Sequence, residues 1–377
     1  MIKCFKSDLD QRDVAKVEEC MQSGILGFGP EVERFEANYA CLSGCTYNIG
    51  MNSASAAAYA IFSYLFEQYG ECDVYTPSLG FTSPSWAAKK NGHNIFFVDV
   101  NEDLLFDSTD YYLKRSRLST GKPTVVMPVL YGGVSRITNF ELFGDEIIVL
   151  DSAHCISPDM DYDYAFFSFH PVKPICMSNG GILATNDAGA KEYFEIFRNF
   201  GRQSKNGSYN IIREGFNFYM NSLNASLGLS QLEKCMDNVQ KRKENFLFLR
   251  DNIPDTFGRF VDHDDRSSYY LATLILNEKY NSSTIRKHFE ENYVQATYHY
   301  PPLHKTEYYD QKVDMPNLDN FESRIINLPI HQNLTEQQLN KVVEVAKYWD
   351  ESHQEDLALS VDFRNTVLRE IAAMEKD

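Results

Sequence analysis

Between residues 46 and 185, short apolar runs alternate with stretches of helical pattern, and this alternation constrains the fold more than any other feature. The run Ile147–Leu150 has no polar residue at alternate positions, as expected for a strand covered on both faces. The strands predicted in this region are Asp73–Tyr75, Ile95–Val100, Thr124–Val129, Ile147–Leu150, Tyr164–Phe169 and Ile182–Ala184. Strands that alternate with helices predict an α/β fold, with a mostly parallel sheet and helices on both sides.

The strand–helix alternation gives way to a helix-rich region over 186–252, and a different pattern begins after Pro254. The elements predicted beyond that proline are a strand at Tyr269–Leu276, a helix at Ser283–Glu291, a strand at Gln295–Tyr300 and a helix at Thr335–Trp349. We therefore predict a large domain over 1–252, a smaller C-terminal α+β domain over 253–350, and an additional charged helix over 351–377.

Charge and cysteine usage exclude several classes of function. The 36 lysines and arginines are outnumbered by 53 aspartates and glutamates, and the formal net charge of −17 disfavours binding to nucleic acid. The longest mostly apolar run, near Tyr59–Phe66, is too short to cross a membrane, and residues 1–8 lack the apolar core of a signal peptide. The eight cysteines form neither a CxxC pair nor a zinc spacing, so we expect reduced thiols, no metal site and a cytoplasmic location.

Two charged residues at strand ends are the strongest chemical signal in the chain. Asp151 ends the run Ile147–Leu150, and ligands of open α/β sheets bind at the carboxyl ends of strands. Lys173 follows the next predicted strand, where burial would lower the pKa of its amine and free it as a nucleophile. A lysine that can form a Schiff base and an aspartate that can hold a pyridinium nitrogen are the minimum equipment for pyridoxal phosphate. From spacing alone, we would interpret the two residues as an ordinary ion pair or as two solvated loop residues.

Three motifs around these residues resemble the successive signatures of the DegT-type sugar aminotransferases. They are DSAH (151–154), SFHPVK (168–173) and GGILATND (180–187), and the resemblance extends from about residue 8 to residue 348. The family consists of pyridoxal-phosphate enzymes that aminate keto sugars on nucleotide carriers. The resemblance therefore implies the fold type I architecture of such enzymes, in which helices flank the central sheet and a smaller C-terminal domain follows.

The resemblance also implies roles for four of these residues. Lys173 matches the lysine that forms the Schiff base with the cofactor and then shuttles protons, and Asp151 matches the partner of the pyridine nitrogen. His154 matches the residue that hydrogen-bonds the ring 3-hydroxyl, and Ser168 matches a ligand of the cofactor phosphate. Without the resemblance, His154 is interpreted as a buried core histidine and Ser168 as a serine that ends a strand.

A cradle for the cofactor phosphate is expected where Ser53, Ala54 and Ser55 precede an apolar helical stretch. A helix N-terminus offers free N–H groups and the positive end of the helix dipole to a dianion. The family usually has Gly-Thr at Ser53-Ala54, so the expected ligands are the Ser55 side chain and the backbone of the two preceding residues; a plain capped helix is the alternative. Phe81 matches the aromatic residue that stacks on the pyridine ring, although a core phenylalanine is also possible.

The resemblance further implies an active site shared between subunits. Asn217 lies in a segment resembling a family loop whose asparagine reaches the cofactor phosphate of the neighbouring subunit, which implies a homodimer. Tyr219 stands where the family has an arginine, which weakens the case for an anion contact there. The residues expected to contact the sugar, each of them equally explicable as an ordinary loop residue, are Phe28, His170, His299, Tyr300, His304 and His331. His170 within SFHPVK resembles members that aminate carbon 4 of the sugar.

The expected function is transamination for amino-sugar and glycan biosynthesis. L-Glutamate would donate the amino group and leave as 2-oxoglutarate, and a 4-keto-6-deoxy sugar nucleotide would accept it. Two alternatives stay open, namely a pyridoxal-phosphate-dependent sugar dehydratase and a non-catalytic regulatory protein on the same fold. Lys173 argues against the first, because some dehydratase relatives carry histidine there, whereas the altered Ser53-Ala54 and Tyr219 positions and the 351–377 tail motivate the second. A dinucleotide dehydrogenase fits poorly, because no GxGxxG follows a predicted strand.

Overall fold

A seven-stranded sheet lies at the centre of the large domain in the computed structural model, which describes residues 1–205 and 207–352. Its strands are β1 Tyr47–Met51, β2 Asp73–Pro77, β3 Asn94–Val98, β4 Thr124–Val126, β5 Ile147–Ser152, β6 Tyr164–Ser168 and β7 Gly181–Thr185. They lie in the order β1-β7-β6-β5-β4-β2-β3. β7 runs antiparallel to both of its neighbours and every other neighbouring pair is parallel, which confirms the predicted mostly parallel sheet.

Helices cover this sheet, since every residue of β2 and β7 is buried. The helices of the large domain are α1 Gln11–Ser23, α2 Pro30–Ser43, α3 Ala54–Tyr69, α4 Thr82–Lys90, α5 Ser108–Leu118, α6 Ala188–Phe197 and α7 Ser222–Asn252. α3 begins where the predicted cap lies, because the Ser53 hydroxyl accepts the Ala56 N–H at 3.1 Å, and it ends at Gly70 with a φ of +71°. Within the described ranges, no helix is both long and apolar enough to cross a membrane.

The C-terminal part of the chain forms a second core around a three-stranded antiparallel sheet. Its elements are β10 Gly258–Phe260, β11 Ala272–Leu276, α8 Ser282–Glu291, α9 Pro316–Phe321, β12 Ile325–Leu328 and a helix over 336–352. The long helix α7 joins the two cores, since Ala225 packs into the first and Leu249 into the second. Ile2 pairs with Val294, so the first residues of the chain also lie against the smaller core.

Three features of the fold differ from the sequence predictions. The predicted strand Gln295–Tyr300 makes one isolated bridge, between Thr297 and Asn327, because two prolines follow it and cannot donate to a ladder. β1, β10 and β12 were not predicted, and neither was the hairpin of β8 Arg202–Lys205 and β9 Ser208–Ile211 inside the helix-rich region. Of the predicted helix over 351–377, only the first two residues are described, at the end of helix 336–352; the rest lies outside the described residues.

Candidate active site

A cavity of about 330 Å³ opens where β5 and β6 end and where α3 and α4 begin. This position is expected, because the carboxyl ends of parallel strands and the N-termini of the following helices meet at one edge of an α/β sheet. The predicted site residues that line the cavity are Ser53, Ala54, Ser55, Phe81, Asp151, His154, Ser168, His170, Lys173, His299 and Tyr300. The fold thus brings together residues from segments that lie far apart in the chain.

Asp151 is held by the backbone near the middle of the sheet. Its N–H donates to the Pro128 carbonyl and its carbonyl accepts the Leu130 N–H, both at 3.0 Å, and its Oδ1 accepts the Ala153 N–H at 3.0 Å. Burial raises the pKa of Asp151 to about 6, although the Ala153 hydrogen bond and the charge of Lys173 partly offset that effect. A buried carboxylate of this kind gains most when a cationic group binds beside it.

Lys173 lies at the end of a tight turn after β6. Its N–H donates to the His170 carbonyl at 2.8 Å, and the Phe169 N–H fixes the same loop by donating to Gly180 at 3.0 Å. Burial lowers the pKa of the Lys173 amine to about 7, although Asp151 acts in the opposite direction; Arg242 lowers the pKa further. Near neutral pH a large fraction of this amine is therefore uncharged and nucleophilic.

His154 presents a hydrogen-bond donor to the cavity. Its Nδ1 accepts the Gly132 N–H at 3.3 Å, which assigns the ring proton to Nε2. The Nε2 lies 3.1 Å from the Tyr300 hydroxyl, to which it donates. Burial lowers the pKa of His154 well below its usual value, so the ring is neutral. His154 therefore has the chemistry expected of a partner for a ring hydroxyl, and the Tyr300 hydroxyl now holds that hydrogen bond.

The N-terminus of α3 forms a cradle at the far end of the cavity. The first-turn N–H groups of Ala54 and Ser55 have no partner inside the helix and are available to an anion. The Ser55 hydroxyl donates to the Ser83 hydroxyl at 2.8 Å, so Ser83, which also lines the cavity, joins the cradle. A Cβ on Gly181 would lie 2.5 Å from the Ala54 nitrogen, so only glycine allows β7 to approach this closely.

Substitution Gly181→Ala is expected to weaken the cradle. The added methyl group must push the Ser53–Ala54 peptide away from β7 and misalign the N–H groups that face an anion. Loss of one hydrogen bond to a charged group is worth about 1.5–3 kcal/mol, so the dissociation constant of pyridoxal phosphate should rise about 10- to 100-fold. Titration of the coenzyme-free protein measures this constant. Gly189→Ala in α6 is the control, and an unchanged constant in Gly181→Ala would contradict the role of this contact.

Aromatic side chains form another wall of the cavity. Phe81 precedes α4 and is 55% exposed, and its ring centroid lies 5.8 Å from that of Tyr300. His299 is neutral because burial, assisted by the charge of Lys173, lowers its pKa to about 4. The predicted contacts of Phe81, His299 and Tyr300 with a cofactor or a sugar are therefore sterically accessible from the cavity.

His304 and His331 do not line this cavity, and their predicted contact with the sugar stays a prediction. His304 is buried, its Nδ1 lies 2.6 Å from the Ser78 hydroxyl, and its N–H donates to the same hydroxyl at 3.0 Å. It therefore supports from behind the turn that carries Phe81. His331 is buried near Arg242, where burial lowers its pKa to about 4. Contacts with residues distant in the chain, Ser78 for His304 and Arg242 for His331, accompany the burial of both side chains.

Phe28 and Asn217 also lie outside the cavity of their own chain. Phe28 is partly exposed, with the Arg198 guanidinium 4.8 Å from its ring and the Tyr219 ring at 6.2 Å. Asn217 is exposed, and its backbone carbonyl accepts the Asn52 side-chain N–H at 2.9 Å. Neither residue lines the cavity of its own chain, so their predicted roles in the site stay predictions.

Tyr270 is a residue of the cavity, in contact with Lys173, that sequence reasoning missed. It is 3% exposed, and the Lys173 Nζ lies 3.9 Å from the centroid of its ring. The residue precedes β11, about a hundred positions beyond the lysine, in a segment without a recognisable motif. Only the packing of the smaller core against the large domain places it here, so no sequence signal was available.

The assembled residues fit pyridoxal phosphate. A buried amine of lowered pKa suits its aldehyde, Asp151 suits its pyridine nitrogen, and His154 suits its ring hydroxyl. The N-terminus of α3 suits its phosphate, and Phe81 offers a flat face to its ring.

Comparison with known proteins agrees with this assignment. The chain is 26% identical over 376 residues to the spore coat polysaccharide biosynthesis protein SpsC of Bacillus subtilis, covering 90% of this chain and 94% of that protein. It is 25% identical over 348 residues to the UDP-4-amino-4,6-dideoxy-N-acetyl-beta-L-altrosamine transaminase of Helicobacter pylori, covering 86% of this chain and 92% of that protein.

Solved structures share the fold. The aminotransferase PseC of Helicobacter pylori, involved in the biosynthesis of pseudoaminic acid, gives a TM-score of 0.85 at 22% identity and covers 93% of this chain and 99% of its own. The putative sugar aminotransferase Spr1654 of Streptococcus pneumoniae, in its PMP-form, gives 0.84 at 22% identity and covers 93% and 100%. The model of the DegT/DnrJ/EryC1/StrS aminotransferase family matches residues 7–347. The chain therefore belongs to this family and is a pyridoxal-phosphate-dependent sugar aminotransferase.

Proposed function

We propose that the enzyme transfers the amino group of L-glutamate to a 4-keto-6-deoxy sugar nucleotide and releases 2-oxoglutarate. The observation that carries the proposal is the buried Lys173 amine, of lowered pKa, in the same cavity as Asp151. The relatives support the choice of sugar, because those of Campylobacter jejuni and Helicobacter pylori are named as transaminases of a 4-amino-4,6-dideoxy sugar carried on UDP. His170 in the cavity agrees with amination at carbon 4.

The protonation states of the cavity residues suit them to different roles in the reaction. Bound pyridoxal phosphate supplies an electron sink for the electrons released when a proton leaves the amine-bearing carbon. Asp151 holds the positive charge at the ring nitrogen, and Lys173, once free, carries protons as a general base and acid. The neutral imidazoles of His154 and His299 add no charge around the sugar. A mostly neutral, aromatic cavity suits an uncharged keto sugar, whose nucleotide would extend outward.

We further propose a homodimer that works in a reducing compartment. Asn217 is exposed beside the α3 cradle of its own chain, so it is free to approach a neighbouring subunit, as the family resemblance implies. All eight cysteines are free thiols and seven of them are buried, which suits a cytoplasmic setting.

Transfer of a labelled nitrogen tests the proposed reaction. The purified protein, loaded with pyridoxal phosphate, is incubated with ¹⁵N-labelled L-glutamate and a panel of 4-keto-6-deoxy sugar nucleotides. Mass spectrometry is expected to find the ¹⁵N label in the new amino group of an amino-sugar nucleotide. A product that has lost a hydroxyl group would assign the protein to the dehydratases instead, and binding of cofactor without any turnover would favour a regulatory role.

Coenzyme attachment should follow the lowered pKa of Lys173. The amine reacts only when it is deprotonated, so the attachment rate is expected to rise with pH up to about 7 and to level off above it. With an amine at the usual value of 10.5, the rate would continue to rise and would be about 10³-fold lower at pH 7. Stopped-flow absorbance of the coenzyme-free protein mixed with pyridoxal phosphate measures the profile. A rise that continues beyond pH 9 would contradict the burial of this amine.

A further inference from the structure

We propose that Tyr270 is a positioning residue for Lys173. Its ring face, here called the seat, holds the Lys173 amine whenever that amine is not bonded to the cofactor. During turnover the lysine would be free of the cofactor for part of the cycle, and it must then stay close enough to the reacting atoms to move protons. The importance of the seat for turnover rests on the proposed function. The seat itself is a property of the folded chain and is measured without turnover.

The contact geometry is that of a buried cation–π pair. The Lys173 Nζ lies 3.9 Å from the centroid of the Tyr270 ring, within the range over which an ammonium is attracted to an aromatic face. The Tyr270 ring is fixed from two further directions. Its centroid lies 4.5 Å from that of His154, and the Phe5 ring stacks on it at 5.5 Å with an interplanar angle of 24°. The attraction is strongest when both partners are removed from water, as they are here.

The backbone holds Tyr270 against the large domain. Its N–H donates to the Gly132 carbonyl at 3.0 Å, and the Ser268 N–H donates to the Gly133 carbonyl at 2.6 Å. A Cβ on Gly133 would lie 2.9 Å from the Tyr270 nitrogen, so the close approach needs glycine. Tyr269 has a φ of +46°, a conformation that costs energy in a non-glycine residue and persists only where the surroundings enforce it. These backbone contacts therefore fix the position of the Tyr270 ring.

Arg242 is the main positioning group behind this segment. Its guanidinium is buried, with Nε donating to the Gln332 side chain at 2.8 Å and a second nitrogen 3.5 Å from the Tyr269 carbonyl. The residue therefore links helix α7 to the backbone that carries the seat. Its positive charge also lowers the pKa of Lys173, in opposition to the effect of the ring.

The surroundings explain why an aromatic face is needed. The other titratable or charged groups that face Lys173 are Asp151, His154, His170, His299, Tyr300 and Arg242. The three histidines have lowered pKa values and are neutral, and Arg242 disfavours a second cation. Asp151 is the attractive charge, but it is expected to pair with the cofactor ring nitrogen. A π-face stabilises the ammonium without adding a carboxylate that would compete for that pairing.

Titration of Lys173 in the coenzyme-free protein tests the seat. The amine is acylated by acetic anhydride over a range of pH, and peptide mass spectrometry of residue 173 gives its pKa. Tyr270→Leu removes the π-face and is expected to lower this pKa by about 0.5–1 unit. Tyr270→Phe keeps the face and is the matched control, with an expected shift of less than about 0.2 unit. Trifluorophenylalanine at position 270 keeps the shape of the ring but weakens the attraction of its face for a cation, so it should lower the Lys173 pKa as leucine does. It provides the same test if the leucine variant does not fold.

The outcomes separate the seat from the proposed function. The seat is overturned if phenylalanine and trifluorophenylalanine at position 270 give the same Lys173 pKa, or if Tyr270→Phe shifts it as much as Tyr270→Leu. If the label from glutamate reaches no sugar while the pKa shifts occur as expected, the proposed function fails and the seat stands. If labelled amino sugar forms but no shift is found, only the seat is lost.

Discussion

Lys173→Ala is expected to bind pyridoxal phosphate without attaching it covalently and to lose essentially all turnover. The substitution removes both the amine that bonds to the aldehyde and the group that moves protons, and the proton transfers alone are worth about 10²–10⁴-fold in rate. Borohydride treatment of the parent protein should fix the cofactor on the peptide containing residue 173, whereas the variant should release it on dialysis. Absorbance spectra and amino-sugar formation measure both effects.

The control for this variant is Lys191→Ala, which removes a partly exposed lysine that pairs with Glu195 on α6. A Lys173→Ala protein that still transaminates would contradict the assignment of the site.

Mixed dimers test whether the active site is shared between two subunits. If Asn217 serves the neighbouring active site, Lys173→Ala and Asn217→Ala subunits should regain activity when refolded together, because one site of the mixed dimer contains both native residues.

Asp151→Asn is expected to retain the cofactor on Lys173 and to lower kcat by about 10²–10³-fold. Asparagine has nearly the same shape but carries no charge, so the stabilisation of a protonated ring nitrogen is lost, and removing one preorganised electrostatic partner typically costs that much. Borohydride trapping followed by single-turnover kinetics with glutamate separates attachment from chemistry. A rate within about threefold of the parent would contradict the role of this carboxylate.

Asp99→Asn is the matched control for the aspartate. Asp99 is another buried carboxylate that follows a strand of the same sheet, and it accepts the N–H groups of Asn317 and Leu318 at 2.8 and 3.0 Å. Burial raises its pKa as it does for Asp151. Its substitution is expected to lower the melting temperature and to leave the single-turnover rate of the folded protein unchanged. The comparison therefore distinguishes loss of a buried charge from loss of a partner for the cofactor.

The sequence was most informative where local pattern and chemistry coincide. All six predicted strands of the central sheet form, because continuous apolar runs are buried wherever a parallel sheet is covered on both faces. Asp151 lies near the end of β5 and Lys173 follows the parallel neighbour β6, so their meeting at one edge of the sheet was a consequence of topology. The cap at Ser53 was predictable for a similar reason, since a hydroxyl before an apolar helical stretch has one main local role.

Side chains on loops could not be placed in this way. His299 and His304 lie five residues apart, yet the first faces the cavity and the second bonds Ser78 behind it. A loop has no periodicity that relates sequence spacing to direction, so its side chains point wherever the packing of the two cores turns them. The hairpin of β8 and β9 was missed because β8 contains no apolar residue and the residues of β9 are exposed.

The sequence by itself determined six strands of the central sheet, the two charged residues at strand ends and the capped helix, because each depends on neighbours only a few residues away. The tertiary structure alone decided that the Tyr270 ring lies on the Lys173 amine, and that His154 is neutral with its proton on Nε2. These properties depend on burial and on contacts between separate segments of the chain. Desolvation and close packing depend on the whole fold, and burial lowers the pKa of Lys173 to about 7, where the amine can act as a nucleophile and a base.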